Sequence, residues 1–190
     1  MNVKETIEKR RAYRGLVPVE LDKETMGDLA KSASLAPSCF NKQPWRYIFI
    51  HEKSALEKIH KAMSQGNEWT FDASLIIAVI SKKEYDCVIK EREYFEFDTG
   101  MATAFLILRA TELGLVAHPI AGYSPEKGKE ILGIPDDMDL VTFVIVGKHS
   151  EELTPILNDY QREAEKTRPE RIPLDRIMAF NTFDEKLIAE

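Results

Sequence analysis

Met26, Leu29, Ala30 and Ala33 recur at helical spacing behind Asp22, a residue able to accept the first free amides of a helix, and Pro37 ends the run. The segment WRYIFIHE then alternates as a strand does. A first helix is predicted over Val3 to Arg11, and Ser54 with Glu57 gives a capping-box pattern for a helix running to about Ser64. SLIIAVISK is a continuous apolar run, the pattern of a strand covered on both faces. From Phe97 to Leu113 the chain is apolar on nearly every side, with Gly114 placed to end it, which predicts a buried central helix. VAHPIAG reads as a short strand, Ser124 and Pro125 open a helix that Gly133 and Pro135 close, and LVTFVIVGK is another buried strand. Thr154 and Pro155 are placed to start the next helix.

That order, helices interleaved with strands along one chain, predicts an α+β protein, an α/β sandwich around one sheet, built as a single domain over residues 1–190. The C-terminal stretch departs from the pattern. Ile172, Leu174, Ile177, Met178, Phe180 and Phe183 lie beyond the last strand in an otherwise polar tail, from about residue 168 to 190. Such an arm needs a surface, either its own domain or a second subunit.

Composition narrows the function. With 44% hydrophobic and 31% charged residues in 190, the chain suits a globular domain, and no apolar run approaches the ~18 residues of a membrane span. MNVKETIEKRR lacks the apolar stretch of a secretory signal, so a cytoplasmic protein is expected. A net charge of -6 argues against general nucleic-acid binding. Cys39 and Cys87 are the only cysteines and are not spaced as a CxxC pair, so free thiols are expected. The four histidines, at 51, 60, 118 and 149, lack the spacing of metal ligands, so no metal is expected.

Two clusters remain as candidate chemistry. Arg10, Arg11 and Arg14 stand where the first helix ends and suit a helix C-terminus electrostatically, the first reading; three such groups can also form a fork for one phosphate dianion. The connector LAPSCFNKQPW places Ser38, Cys39, Asn41 and Gln43 between two prolines and closes on Trp45, more polar equipment than a turn requires. Cys39 reads more readily as a small packing residue than as a nucleophile, because no histidine is near it in sequence. The acidic run from Lys90 to Asp98 reads as a solvated face or a helix start.

Four segments resemble the flavin-dependent nitroreductase family. KRRAYRG looks like its N-terminal Arg-Arg-Ser motif, and APSCFNKQPW like its Pro-Ser-Ser-x-Asn-x-Gln-Pro-Trp motif. TAFLILRATELGLVAHPIAGY is similar to its central helix, strand and glycine-containing turn, and RIPLDRI to its C-terminal arginine motif. The resemblance runs in order along nearly the whole chain. It implies a mostly antiparallel sheet flanked by helices, a homodimer with an exchanged arm, and bound FMN reduced by NAD(P)H. Carried onto this chain, Arg10 and Arg14 would meet the phosphate end and the pyrimidine edge of FMN. Arg11 and Ala12 would be adjacent, and Arg171 a further phosphate ligand, assisted by Arg168. Pro37, Ser38, Cys39 and Asn41 would come from the partner chain, and Ile120, Ala121 and Gly122 would lie along the isoalloxazine. The flavin would carry the redox step, so no catalytic side chain is implied.

The departures are specific. Ala12 stands in place of a usual serine, Cys39 replaces the second serine of its motif, and Trp69 takes the position where many members carry a lysine. The segment from about Ser81 to Phe97 is short where larger members add two helices. The implied activity is reduction of a nitroaromatic, quinone-like or other electron-poor acceptor by a ping-pong route. The alternatives are a specialised dehalogenase or flavin-fragmenting relative, or a flavin-binding redox sensor or carrier.

Overall fold

A computed structural model describes residues 1–152 and 154–188. Seven strands and six α-helices follow in the order α1 (Val3–Lys9), β1 (Leu16–Val17), α2 (Lys23–Ser34), β2 (Arg46–Ile50), α3 (Lys53–Ile59), β3 (Leu75–Ser81), β4 (Val88–Ile89), β5 (Arg92–Glu93), α4 (Phe95–Glu112), β6 (Val116–Ile120), α5 (Pro125–Leu132), β7 (Asp139–His149) and α6 (Asp159–Lys166).

The central sheet is antiparallel at every pairing and is organised by β7. This strand pairs with β3 over most of its length, with β6 from Phe143 to Gly147, and with β1 at its end, while β2 extends the sheet beyond β3. Every residue of β3 is buried, and the reason is a layer of helices on each face. Ile76, Ala78, Ile80, Phe143 and Ile145 point to the side packed by Ile59 of α3, Trp69, Ile134 and Leu157. Leu75, Ile77, Val79, Val144 and Val146 point to the other side, against Met26, Leu29 and Ala33 of α2 and Ala102, Leu106 and Ala110 of α4. A strand covered on both sides needs no polar alternation, so the unbroken apolar runs of β3 and β7 follow from the architecture.

Local signals explain most helix limits. The Asp22 carboxylate accepts from the Thr25 amide, and Ser124 from the Lys127 amide, with Pro125 in the first turn of α5. Gly133 ends α5 at φ 65°, a left-handed conformation that glycine adopts without a steric cost. Three expectations are corrected. The Ser54–Glu57 pattern is not a cap: α3 begins at Lys53 after Glu52, which makes no side-chain capping bond; the α-helix ends at Ile59 and continues as a 3-10 turn through Ala62, close to the expected end near Ser64. The last helix starts not at Thr154 but after Asn158, whose side chain accepts from the Gln161 amide while the Gln161 side chain accepts from the Asn158 amide. α1 stops at Lys9, before the arginine cluster, so Arg10 to Arg14 form an extended connector instead of a helical turn.

The cysteines are not free thiols. Cys39 and Cys87 form a disulfide across 48 residues, tying the α2–β2 connector to the segment that follows β3. No helix among the described residues is long and apolar enough to cross a membrane.

Candidate functional site

The arginine connector is shaped by what lies behind it. The buried Glu165 carboxylate on α6 accepts from the Arg14 amide at 2.8 Å and the Gly15 amide at 3.3 Å, and His149 Nε2 lies 3.2 Å from its Oε2. Arg11 reaches the other way: its guanidinium donates to the Ala164 carbonyl at 2.9 Å and the Thr167 carbonyl at 2.7 Å, at the C-terminal end of α6, where a cation complements the helix dipole. It also lies 4.6 Å from the Tyr13 ring centroid, and that ring stacks on His149. Thus α6 is fastened to the connector through Glu165 and Arg11 together.

Between them lies a pocket of about 250 Å³, lined by Arg10, Arg11, Ala12 and Arg14 on one side and by Tyr160, Ala164, Arg168, Pro169 and Arg171 on the other. The structure therefore brings together all the sequence-predicted arginines, although Arg171 is more than 150 residues from Arg14 in the chain. Arg168 is fixed by donating to the Glu8 and Arg10 carbonyls, each at 2.6 Å, which turns the start of the tail back onto the end of α1. Arg10 is held below its ordinary pKa, first by burial and then by the neighbouring charges of Arg168 and Arg171. Like charges crowded in this way are a site poised for an anion. By contrast, a hollow of about 860 Å³ beside α5 is lined by Glu96, Glu126, Glu130, Asp136 and Asp139 with Lys129, a charge balance that repels phosphate.

Behind the pocket, His118 on β6 is buried. Its Nδ1–H donates to the Tyr13 carbonyl at 3.0 Å, its ring stacks on Trp69 at 4.8 Å, and burial, with help from Arg14 and Arg10, lowers its pKa to about 4. The Trp69 side chain is buried in the core, so it does not line the arginine pocket. Its Nε1–H donates to Asn67 Oδ1 at 3.0 Å, and Asn67 Nδ2 donates to the Gly122 carbonyl at 2.7 Å. A methyl group on Gly122 would come within 2.2 Å of that nitrogen. Trp69 and Asn67 thereby set the backbone of Ile120, Ala121 and Gly122, where β6 leaves the sheet.

The remaining predicted residues form a third group. Ser38 Oγ accepts from the Gln43 amide at 2.9 Å, and Phe40, Asn41 and Gln43 adopt φ of 48°, 57° and 52°. Such left-handed backbone is costly for these side chains and is sustained by its surroundings. Those surroundings are the disulfide, the buried Trp45, and Asp98 of α4, whose Oδ2 accepts from the Cys39 amide at 2.6 Å. Pro37 and Asn41 are exposed and Ser38 and Cys39 half-buried. Neither this connector nor Ile120 to Gly122 lines the arginine pocket.

Sequence reasoning missed Tyr160, Ala164 and Glu165, because α6 was placed from Thr154. The Asn158–Gln161 pair, a capping-box spacing, was the signal that locates it. The disulfide had no short-range signal at all.

The family model described as "Nitroreductase family" matches residues 7–148. The chain belongs to the nitroreductase family. A solved nitroreductase family protein of Clostridium difficile 630 superposes on this family member with a TM-score of 0.78 at 28% identity, over 96% of this chain and 100% of that one. A structure described as an oxidoreductase containing FMN gives a TM-score of 0.83 at 26% identity, over 97% and 94%. Among curated relatives, the Archaeoglobus fulgidus protein named "Putative NADH dehydrogenase/NAD(P)H nitroreductase" is 28% identical over 172 residues, 86% of this chain and 91% of that protein. The α+β architecture with its antiparallel central sheet is thus that of solved nitroreductase structures.

Proposed function

We propose that this protein is an FMN-dependent oxidoreductase that takes electrons from NAD(P)H and delivers them to nitroaromatic, quinone-like or other electron-poor acceptors. The observation that carries this reading is the arginine pocket. Five guanidinium groups line about 250 Å³ in a chain of net charge -6, and burial together with the charges of Arg168 and Arg171 lowers the Arg10 pKa. A phosphate dianion offsets that charge, and planar guanidinium groups suit its oxygens. The donor set therefore fits the phosphate end of FMN, and two relatives carry names or descriptions consistent with it: one contains FMN and the other is named for NAD(P)H.

On this reading Arg10 and Arg171 hold the phosphate, with Arg168 supporting the pair from the α1 carbonyls, and Arg14 meets the pyrimidine edge. Arg11 and Ala12 border the same group, although the Arg11 guanidinium spends its hydrogen bonds on α6. The main chain of Ile120, Ala121 and Gly122, braced by Asn67, lies along the ring. Pro37, Ser38, Cys39 and Asn41 reach the ring from a second copy of the chain. Bound FMN supplies hydride acceptance and donation; the protein supplies binding, orientation and electrostatics.

The second copy is part of the proposal. Beyond residue 171, Ile172, Leu174, Phe180 and Phe183 are 61%, 68%, 80% and 66% exposed, more apolar surface than an isolated tail would keep in water. A homodimer in which each tail wraps the other chain covers it.

One phosphate-binding arginine set and no dinucleotide fingerprint imply that nicotinamide and acceptor use the same face of the flavin in turn. Steady-state kinetics test this. Double-reciprocal plots at several acceptor concentrations are expected to be parallel; intersecting lines would overturn the shared site, and absence of flavin reduction by NADH and by NADPH would overturn the activity.

A further inference from the structure

Four chemically telling groups meet where the α2–β2 connector touches the start of α4. The sulfurs of Cys39 and Cys87 and a carboxylate oxygen of Asp86 lie within 4.8 Å of one another. Asp86 and Asp98 are 9% and 2% exposed. Asp98 has a role in the fold, since its Oδ2 accepts from the Cys39 amide at 2.6 Å. Asp86 is satisfied on one oxygen only: Oδ1 accepts from the Cys87 amide at 2.8 Å, whereas Oδ2 is sealed from solvent with no hydrogen-bond partner among the described residues. A buried, unpaired carboxylate oxygen is expensive, and proteins rarely keep one without a use.

One Asp86 oxygen stands with the two sulfurs, and the Asp98 carboxylate lies beside Asp86 as well. When those sulfurs are thiolates, the set is two soft ligands and one carboxylate, a combination that suits zinc and similar thiophilic divalent cations and leaves a fourth position for water. We propose that, once the Cys39–Cys87 disulfide is reduced, Cys39, Cys87 and Asp86 bind a zinc-class divalent cation, with Asp98 orienting Cys39 through its amide. The disulfide uses the same two sulfurs, so oxidation and metal binding exclude each other. Formation of the site balances simply. A dithiol reductant gives two electrons and two protons to the S–S bond and becomes a disulfide itself, and the cation then displaces the two thiol protons.

Either state ties together the same segments, the connector with its three left-handed residues and the chain leaving β3. Reduction without metal would release that tie; metal would restore it. The pair was invisible as a metal motif because 48 residues separate its sulfurs and Asp86 adds only an adjacent ligand to one of them.

The test uses the full-length protein with whatever flavin it carries, and its readout is metal. One sample is kept oxidised; another is reduced anaerobically with a phosphine, freed of reductant, and titrated with Zn²⁺ against a chromogenic chelator and with Co²⁺ by absorption. The reduced protein is expected to take up one zinc per chain and to give a thiolate-to-cobalt charge-transfer band, and the oxidised protein to give neither. Asp86→Asn, confirmed folded by circular dichroism, is expected to bind zinc at least about tenfold more weakly, and Cys87→Ser to lose the cobalt band. Reduced protein that takes up no zinc, equal uptake by the oxidised protein, or unchanged affinity in Asp86→Asn would each overturn the proposal. Flavin content and NAD(P)H turnover, read on the same samples, separate this outcome from failure of the proposed oxidoreductase activity.

Discussion

Arg10 sits half-buried beside Arg168 and Arg171, and their shared charge is what makes its environment useful. Charge-assisted hydrogen bonds to a phosphate contribute about 1.5–3 kcal/mol each, so Arg10→Ala or Arg171→Ala is expected to weaken FMN binding by about 10- to 100-fold. Titration of apo-protein followed by flavin fluorescence measures this, and unchanged affinity in both variants would take the arginines out of the site. The arginine set was legible in the sequence, but the exclusive roles were not: Arg11 stands among the others, yet its guanidinium is bound to the end of α6. His118 shows a different limit. As one of four scattered histidines it carried no signal, yet the fold buries it against Trp69 and lowers its pKa from an ordinary 6.5 to about 4. Between those values the unfolded chain binds a proton that the folded chain refuses, so stability is retained above pH 6.5 and falls as pH drops toward 4. The contribution is on the order of 3 kcal/mol at most. His118→Gln is expected to flatten this part of the pH–stability curve, as urea titrations at pH 4.5 and 7 would show; an unchanged slope would exclude His118 as its source.

At the scale of elements, the readable features were those with a long period or a local cap. α4 was expected over Phe97 to Leu113 and is found at Phe95–Glu112, because a helix buried on most sides writes an unmistakable apolar run. α5 follows its Ser124 cap and its Gly133 stop. The strands β1, β4 and β5 have two residues each, too few for any periodicity; β1 exists because pairing with β7 places it, and β4 and β5 pair only with each other in a local hairpin. α6 was displaced because Thr154–Pro155 resembles a helix start, whereas the reciprocal Asn158–Gln161 bonds decide where the helix begins. That cap has a functional consequence. α6 has only eight residues, and it presents Tyr160 and Ala164 to the arginine pocket and Glu165 to the connector. Asn158→Ala is expected to cost about 1 kcal/mol of stability and to lower FMN affinity several-fold, although Asn158 does not line the pocket. Thermal unfolding and flavin titration of the same variant check both; a stability loss with affinity intact would show that the connector, not α6, shapes the pocket.

The whole molecule adds what neither residues nor elements contain, beginning with the tail. Arg168 holds that root against the Glu8 and Arg10 carbonyls, at the edge of the arginine pocket. Beyond it, Ile172, Leu174, Ile177, Met178, Phe180 and Phe183 are exposed. Further exposed apolar side chains, Val3 of α1, Leu35 after α2 and Phe105 of α4, line one hollow on the helical layer of α2 and α4. Single exposed apolar residues are ordinary, but an arm and a helical face that are both apolar have complementary needs. Their mutual burial in the proposed dimer would also account for the separation of the two groups of predicted flavin residues, because the connector of one chain would then complete the pocket region of the other. An obligate dimer of this kind buries roughly 2,000 Å² or more. Ending the chain after Arg171 keeps every arginine of the pocket and removes only the arm. The truncated protein is expected to sediment as a monomer at micromolar concentration and to lose bound flavin in proportion, while the full-length chain sediments as a dimer. A full-length monomer that retains FMN would contradict the exchanged arm and the shared site together; a truncated dimer that retains it would confine the interface to the helical face.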